Sequence, residues 1–275
     1  MVSAGARTGR RTSAATRVWR VLRLALHIVV GCSIAAVVFP LVGNRTELRI
    51  IRGWSRRLLH ILGVKAHVRG RMPGGHAPTM VVTNHVSWLD IWVIHSVSPV
   101  RFIAKSDIRG WPVIGWLAAR AGTVYIQRTR RHDTQRINRE IAEILARGEH
   151  IGLFPEGTTT DGTHVLPFHA SLFQPALSCG ARVVSAGLRY PLPDGTPNVD
   201  ASYAGDRSLL ESLKLILAHP QLKVELVIAG VVEPEGRTRR ELAHQCRELI
   251  AHALSLPQTG GSRSGTHAGP RAGTH

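Results

Sequence analysis

The sequence predicts an α/β fold, in which a sheet flanked by helices is preceded by an N-terminal membrane helix or helical hairpin. Two observations predict this architecture. From about residue 65, short β-branched runs alternate with longer helical stretches. Before that point, residues 24–42 contain no Asp, Glu, Lys or Arg. With 275 residues and 44% hydrophobic content, the chain can form one large domain with appendages.

The N-terminal region divides into a leader and an apolar segment. Residues 1–16 are small, polar and Arg-bearing, which predicts a disordered basic leader that lies against anionic headgroups. The uncharged stretch 24–42 is close to the roughly 20 residues that a membrane-spanning helix requires. Arginines flank both of its ends, so the positive-inside rule does not choose an orientation.

Residues 17–62 are predicted to form a membrane-associated helix or helical hairpin. Pro40 and Gly43 can form a turn between two helices. The second helix would separate a basic face from an apolar face, namely Arg49, Arg52, Arg56 and His60 against Leu48, Ile51, Leu58 and Leu62. A pair of helices that dips into one leaflet, with both ends cytoplasmic, fits this charge pattern better than a simple span. A cleaved signal peptide and a core helix remain alternatives.

Residues 65–254 are predicted to form the main domain. Strands are expected at the apolar runs 80–82, 100–104, 123–126, 151–154, 183–188 and 224–228, with helices at 132–147 and 237–254 among others. The tail, residues 255–275, is rich in Gly, Ser, Thr and Pro and is predicted to be disordered.

The charge of the chain indicates a polyanionic partner. There are 35 Lys and Arg against 18 Asp and Glu, a formal charge of +17. No zinc-finger spacing or aromatic RNA-binding signature is found, so an anionic membrane is expected and nucleic acid is not.

The cysteines, Cys32, Cys179 and Cys246, form no CxxC pair, so neither a metal site nor a disulfide framework is expected. Their pattern favours a reducing, cytosolic location.

The first candidate for chemistry is the segment 80–90. A strand pattern ends at His85, and Ser87 and Asp90 form a capping-box pattern that predicts a helix start at Ser87. Asp90 would then lie close enough to orient the His85 imidazole as a general base for a hydroxyl. The alternative is that Asp90 only caps the helix.

The second candidate is the segment 151–162, where a strand ends in a Gly-rich polar turn. Backbone N–H groups in such turns can bind anions or oxyanions. Taken alone, the segment is also compatible with an ordinary turn.

Taken together, the two segments carry a specific resemblance. Asn84-His85-x-Ser87-x-x-Asp90, followed by Phe154-Pro155-Glu156-Gly157-Thr158, is similar to the glycerolipid acyltransferase family, which includes 1-acylglycerol-3-phosphate acyltransferases. Between them, residues 102–105, 111–115 and 122–128 match the family's intermediate elements. The resemblance covers roughly residues 75–190.

The resemblance implies a glycerolipid acyltransferase-like αβ domain and a role for each motif residue. His85 would deprotonate the hydroxyl of a lysolipid, and Asp90 would orient it, for direct attack on a thioester of coenzyme A or acyl carrier protein. Substrate binding is assigned to Asn84, Ser87, Lys105, Arg128, Glu156, Gly157 and Thr158, with Lys105 and Arg128 on an anionic headgroup. Neither a cofactor nor a metal is implied.

Departures from the family pattern bear on the acceptor. The third motif often continues with Arg-Ser, whereas this chain has Thr159 and Thr160, which removes a cation that helps to bind phosphate. The stretch 161–168 is similar to a subgroup that includes lyso-ornithine-lipid acyltransferases. Both acceptors stay open, with 1-acylglycerol-3-phosphate first. The rival classes are a lipid hydrolase, disfavoured because no Gly-x-Ser-x-Gly elbow is present, and a non-catalytic membrane-binding protein.

Overall fold

A computed structural model of the chain describes residues 11–74, 77–110, 113–126 and 131–259. Its strands are β1 Val64–Arg69, β2 Thr79–Thr83, β3 Arg101–Lys105, β4 Val124–Ile126, β5 His150–Leu153, β6 Arg182–Arg189 and β7 Leu222–Val232. Its helices are α1 Ala14–Ser33, α2 Asn44–Leu62, α3 Leu89–Val97, α4 Ile114–Arg120, α5 Arg131–Ala146, α6 Gln174–Cys179, α7 Leu209–Ala218 and α8 Arg239–Leu254. The predicted α/β class is confirmed.

Within the described residues, the strands form one seven-stranded mixed sheet in the order β1-β7-β6-β2-β5-β3-β4. Strands β2 to β6 run parallel, whereas β7 is antiparallel to β6 and parallel to β1. Because β2 lies between β5 and β6, the carboxyl ends of these three parallel strands meet at one edge of the sheet. Residues that follow these strands are therefore brought together.

Helices cover both faces of the sheet. In β2, Val81 packs into a cluster with α2, α3 and α7, whereas Met80 and Val82 pack into a second cluster with α5, α6 and α8. Successive side chains of a strand point to opposite faces, so a central strand covered on both sides is apolar throughout. All five residues of β2 are buried accordingly.

The six predicted strands are present, each shifted by no more than a few residues, and the two predicted helices correspond to α5 and α8. Strand β1 is not among the predicted strands. Its side chains are mostly exposed or half-buried beyond Val64, so it lacks the apolar run that identified the others. Its position at the edge of the sheet, paired only with β7 among the described strands, explains that composition.

Helix α1 begins at Ala14, so the prediction of a disordered leader through residue 16 is wrong for residues 14–16. The Ser13 side chain accepts a hydrogen bond from the Thr16 amide at 3.2 Å, as an N-cap residue does. The helix continues through a π-helical segment, Ile34–Val38, into a 3₁₀ turn, Phe39–Leu41. Residues 1–10 lie outside the described part of the chain.

One side of α1 packs on the main domain. Arg20 donates hydrogen bonds to the carbonyls of His219 and Pro220 at 2.8 and 2.7 Å, and His27 stacks on Trp54 of α2 with ring centroids 4.4 Å apart. The other side is exposed and apolar; it carries Val18, Trp19, Val21, Leu22, Leu26, Val29 and Val30.

The segment Ala14–Leu41 is long and apolar enough to cross a membrane, with 28 residues and a mean hydropathy of 2.3 in its most apolar window. Only 17% of that window is buried, which distinguishes it from the core helix of a soluble domain. Within the described ranges, it is the one helix that meets this criterion.

The amphipathic character predicted for the second helix is confirmed in α2. Ile51, Leu58 and Leu62 are buried, whereas Arg49 and Arg56 are exposed. Gly43 precedes the helix as its N-cap, so the turn predicted at Pro40 and Gly43 is present.

The C-terminal segment is ordered further than predicted. Gln258 forms a parallel β-bridge with Val165, and Arg247 donates hydrogen bonds to the carbonyls of Val165 and Thr259 at 2.7 and 2.5 Å. The expectation of disorder from residue 255 is therefore wrong for residues 255–259, because Val165 and Arg247 bind backbone groups of this segment. Residues 260–275 are outside the described part.

Candidate active site

His85 and Asp90 form a hydrogen-bonded pair at the carboxyl end of β2. The distance from Nδ1 of His85 to Oδ2 of Asp90 is 2.8 Å. The same carboxylate oxygen accepts the amides of Val86 and Ser87 at 2.8 and 2.9 Å. Asp90 is fully buried, so its carboxylate has no contact with solvent, and these bonds fix it in one orientation.

The start of α3 differs from the predicted capping box. The helix begins at Leu89 rather than Ser87, and the Ser87 hydroxyl lies 3.4 Å from the Leu89 amide. Only half of the box forms, since the Asp90 carboxylate accepts the Ser87 amide without the reciprocal side-chain bond. Asp90 thus caps the turn and orients His85 at the same time.

The imidazole of His85 is clamped on one face and open at one nitrogen. Its ring stacks on Phe154, with centroids 3.8 Å apart and planes 12° apart. The side chain is 18% exposed, and its Nε2 has no hydrogen-bond partner among the described residues. With Nδ1 bonded to the carboxylate, Nε2 is the nitrogen that can accept a proton from a substrate.

Glu156 lies behind His85 and not in the open site. Its Oε1 accepts the His85 amide at 2.9 Å, and its Oε2 accepts the Leu166 amide at 3.0 Å. The residue is 5% exposed. The contact with an acceptor that the motif implied has little surface available; the structure instead shows Glu156 fixing the backbone of His85.

Burial raises the pKa of Glu156 to about 7 from an ordinary value of 4.5, even though two backbone N–H bonds and Arg247 lower it. A carboxyl group whose pKa is raised by folding contributes to the free energy of unfolding. This contribution is fully present below pH 4.5 and is lost as the pH rises through 7. For Glu156 it is on the order of 3 kcal/mol.

Glu156→Gln is therefore expected to change how stability depends on pH. The amide leaves the backbone N–H of either His85 or Leu166 without an acceptor, which costs about 1–3 kcal/mol. The Gln side chain also cannot ionise. The native chain should therefore exceed the variant in stability by the largest amount near pH 5 and by a smaller amount at pH 8. Thermal unfolding in detergent across this range measures the difference, and an advantage that grows with pH would contradict the assignment.

Two other residues assigned to substrate binding are enclosed by the protein. The Asn84 amide donates to the Leu188 carbonyl at 2.9 Å and accepts the Leu188 amide at 2.7 Å. Asn84 and Ser87 are both fully buried. These side chains join β2 to its neighbour β6 and shape the His85 turn, so neither presents a surface to an acceptor.

The Gly-rich turn after β5 is largely satisfied internally. The amides of Gly157, Thr160 and Gly162 donate to the Phe154 carbonyl, the His85 carbonyl and the Thr160 hydroxyl. Those three N–H groups are not free for an oxyanion, which agrees with the alternative of an ordinary turn. Thr158 is exposed at its rim, and Gly157 adopts a φ of 75°, which favours glycine.

Comparisons with known proteins assign the chain to a family. An acyltransferase family model matches residues 65–189. A lyso-ornithine lipid O-acyltransferase of Pseudomonas aeruginosa is 37% identical over 206 residues, covering 75% of this chain and 78% of the relative. A 1-acyl-sn-glycerol-3-phosphate acyltransferase of Neisseria meningitidis is 36% identical over 252 residues, covering 89% and 97%.

The chain belongs to the acyltransferase family. The family resemblance read from the motifs is confirmed. The fold agrees as well: the crystal structure of the 1-acyl-sn-glycerophosphate acyltransferase PlsC from Thermotoga maritima matches with a TM-score of 0.62 at 23% identity, covering 87% of this chain and 96% of that one.

In this acyltransferase, the two main motifs meet because β2 and β5 pair in parallel, with Val82 opposite Leu153. The residues that follow each strand, His85 and Glu156, are then neighbours at the same edge. The site has a further contact that no motif predicted: the Tyr190 hydroxyl donates to Oδ1 of Asp90 at 2.6 Å. The apolar run of β6 predicted the strand that ends just before Tyr190, but it did not predict the hydrogen bond to Asp90.

The two cations assigned to a headgroup are Lys105 and Arg128. Lys105 is the last residue of β3, and its side chain lies outside the described part, as does the whole of Arg128. No cluster of three or more His, Cys, Asp or Glu able to hold a metal occurs among the residues described.

Proposed function

We propose that this acyltransferase moves a fatty acyl group from a thioester, acyl-CoA or acyl carrier protein, to the free hydroxyl of a lysolipid, with His85 as general base. The observation that carries the proposal is the 2.8 Å bond from His85 to Asp90, which leaves Nε2 open. A neutral imidazole suits removal of a proton from an alcohol. No acyl-enzyme is required.

The chemical steps balance with His85 alone as proton carrier. Nε2 takes the proton of the acceptor hydroxyl as its oxygen bonds to the thioester carbonyl carbon. The tetrahedral intermediate collapses, the carbon–sulfur bond breaks, and the thiolate receives the proton from His85. Throughout, Asp90 holds the Nδ1 proton in place and stabilises the imidazolium.

The proposed acceptor is 1-acylglycerol-3-phosphate, and the product would then be phosphatidate. The Neisseria relative is a 1-acyl-sn-glycerol-3-phosphate acyltransferase by name. Lyso-ornithine lipid is the second candidate, favoured by the name of the Pseudomonas relative. Thr159 and Thr160 stand where the family often has Arg-Ser, and both are engaged with the protein: Thr159 donates to the Tyr203 carbonyl and Thr160 to the His85 carbonyl.

The proposed location is the inner membrane, with the catalytic domain on its cytoplasmic face. The exposed apolar side of α1 and the flanking arginines support a position at an anionic bilayer surface. Removing a long-chain lysolipid fully into water costs on the order of 10 kcal/mol, so an enzyme that keeps its acceptor in the bilayer avoids that cost.

Membranes containing the protein, incubated with labelled acyl-CoA or acyl carrier protein, are expected to incorporate label into phosphatidate when 1-acylglycerol-3-phosphate is added. Lyso-ornithine lipid is tested in parallel, with membranes lacking the protein as control. Label in ornithine lipid alone would replace the first acceptor by the second. Label in neither product, with either donor, would refute lysolipid acyl transfer.

A further inference from the structure

Tyr190 contacts the Asp90 carboxylate at the oxygen that does not bond to His85. It is the first residue after β6 and is 3% exposed. Its hydroxyl donates to Oδ1 of Asp90 at 2.6 Å. The other carboxylate oxygen, Oδ2, serves Nδ1 of His85 and the amides of Val86 and Ser87. The two oxygens of Asp90 are thus divided between the substrate side and the interior.

We propose that Tyr190 is a positioning residue of the acyl-transfer reaction, which holds Oδ1 of Asp90 so that Oδ2 faces the imidazole of His85. This inference rests on the proposed function, because it takes His85 as the base. The three bonds to Oδ2 fix one end of the carboxylate, and the phenol adds a hydrogen bond to the other oxygen, which would otherwise be buried without a partner.

The hydroxyl donates its proton to Asp90, and its oxygen is also hydrogen-bonded to the Ser87 side chain. Burial, together with the charge of Asp90, raises the pKa of Tyr190 well above its ordinary value of 10. The phenol therefore keeps its proton over the pH range in which a histidine base works. Tyr190 is consequently not an alternative base, and its bond to Asp90 persists through the reaction.

The backbone around Tyr190 is tied to the strand that carries His85. The Asn84 side chain makes two hydrogen bonds with the backbone of Leu188, two residues before Tyr190. The Tyr190 carbonyl accepts the Asn198 amide at 2.7 Å. The buried Asn84 thus fixes the distance between the end of β2 and the end of β6, which places the phenol at Asp90.

Tyr190→Phe removes one hydroxyl and keeps the ring. We expect kcat to fall about 10-fold with little change in the acceptor KM, because positioning of the base is lost and acceptor contacts are not. The charge of Asp90, no longer shared with the phenol, should stabilise protonated His85 more strongly. The acidic limb of the pH–rate profile should then shift to higher pH by about half a unit.

The matched control is Ser96→Ala, which also removes a buried hydroxyl bond. Ser96 is in the same helix as Asp90, is 5% exposed, and donates to the Val93 carbonyl at 2.7 Å. Full-length variants in lipid vesicles are assayed from pH 5 to 9, with thermal unfolding recorded. Ser96→Ala should lose stability without moving the acidic limb; a Tyr190→Phe variant that behaves like it would overturn the proposal.

A double-mutant cycle with Asp90→Asn provides the second test, which does not depend on how much stability either variant loses. If Tyr190 acts through Asp90, its replacement should change kcat little once Asp90 is Asn, so that the two effects are not additive. Additive losses would overturn the positioning role. An active His85→Ala variant would instead refute the proposed base, whereas an inactive one beside a fully active Tyr190→Phe would refute only this inference.

Discussion

His85→Ala is expected to lower kcat by about 10²–10⁴-fold, the range that general-base catalysis contributes. The ring is 18% exposed and stacks on Phe154, and its Nε2 has no hydrogen-bond partner among the described residues. Removing it leaves a hydroxyl with a pKa far above neutrality to attack the thioester unaided. Initial rates with saturating donor and acceptor measure the loss.

A second His–Asp pair in the chain makes a matched control for that experiment. Nε2 of His219 lies 2.9 Å from Oδ2 of Asp200, with both side chains partly exposed. His219→Ala removes an imidazole of the same kind from the end of α7, and its rate should stay near that of the native chain. Equal losses in both variants would indicate a general effect on folding and would remove His85 from its assigned role.

Asp90→Asn is expected to lower kcat by about 10²-fold or more while largely preserving the fold. The amide oxygen can still accept from His85, Val86 and Ser87, and its NH₂ can donate to the Tyr190 oxygen. The negative charge is lost, so the imidazolium formed during attack has no counter-charge in a buried site. Rates and thermal unfolding are measured on the same preparations.

Asp90→Ala separates the two tasks of this carboxylate. It leaves the amides of Val86 and Ser87 and the Tyr190 hydroxyl without their acceptor, and each buried unsatisfied group costs about 1–3 kcal/mol. Alanine should therefore reduce both activity and stability, whereas asparagine reduces mainly activity. If Asn retained the native rate, the charge of Asp90 would have no part in the reaction.

Glu156 shows how far motif chemistry reaches without a structure. Its place in the motif implied an acceptor ligand, yet both of its oxygens are bonded to the protein's own backbone and 5% of its surface is exposed. Glu156 lies near His85 because β2 and β5 pair in parallel and end at the same edge of the sheet. The direction of the side chain depends on the loop that carries Leu166, which no local pattern describes.

In the N-terminal region, the local features could be predicted from the sequence, whereas the long-range contacts could not. The apolar stretch and the two faces of α2 were evident from composition and period, because burial in lipid or core demands apolar side chains wherever it occurs. That one side of α1 packs on α2 and contacts the residues after α7 was not evident, since Arg20 finds its partners about 200 residues away.

By itself, the sequence determined the α/β class, six of the seven strands that the structure describes, the amphipathic second helix and the pair of residues at the end of β2. Each of these depends on periodicity or on spacing within a few residues, which a linear chain records directly. Only the tertiary structure decided the strand order, the edge strand β1, the inward side chains of Asn84 and Glu156, and the hydroxyl of Tyr190 on Asp90. Those contacts join residues about 70 to 100 positions apart, and the pairing of β2 with β5 and β6, which a local pattern does not specify, brings them together.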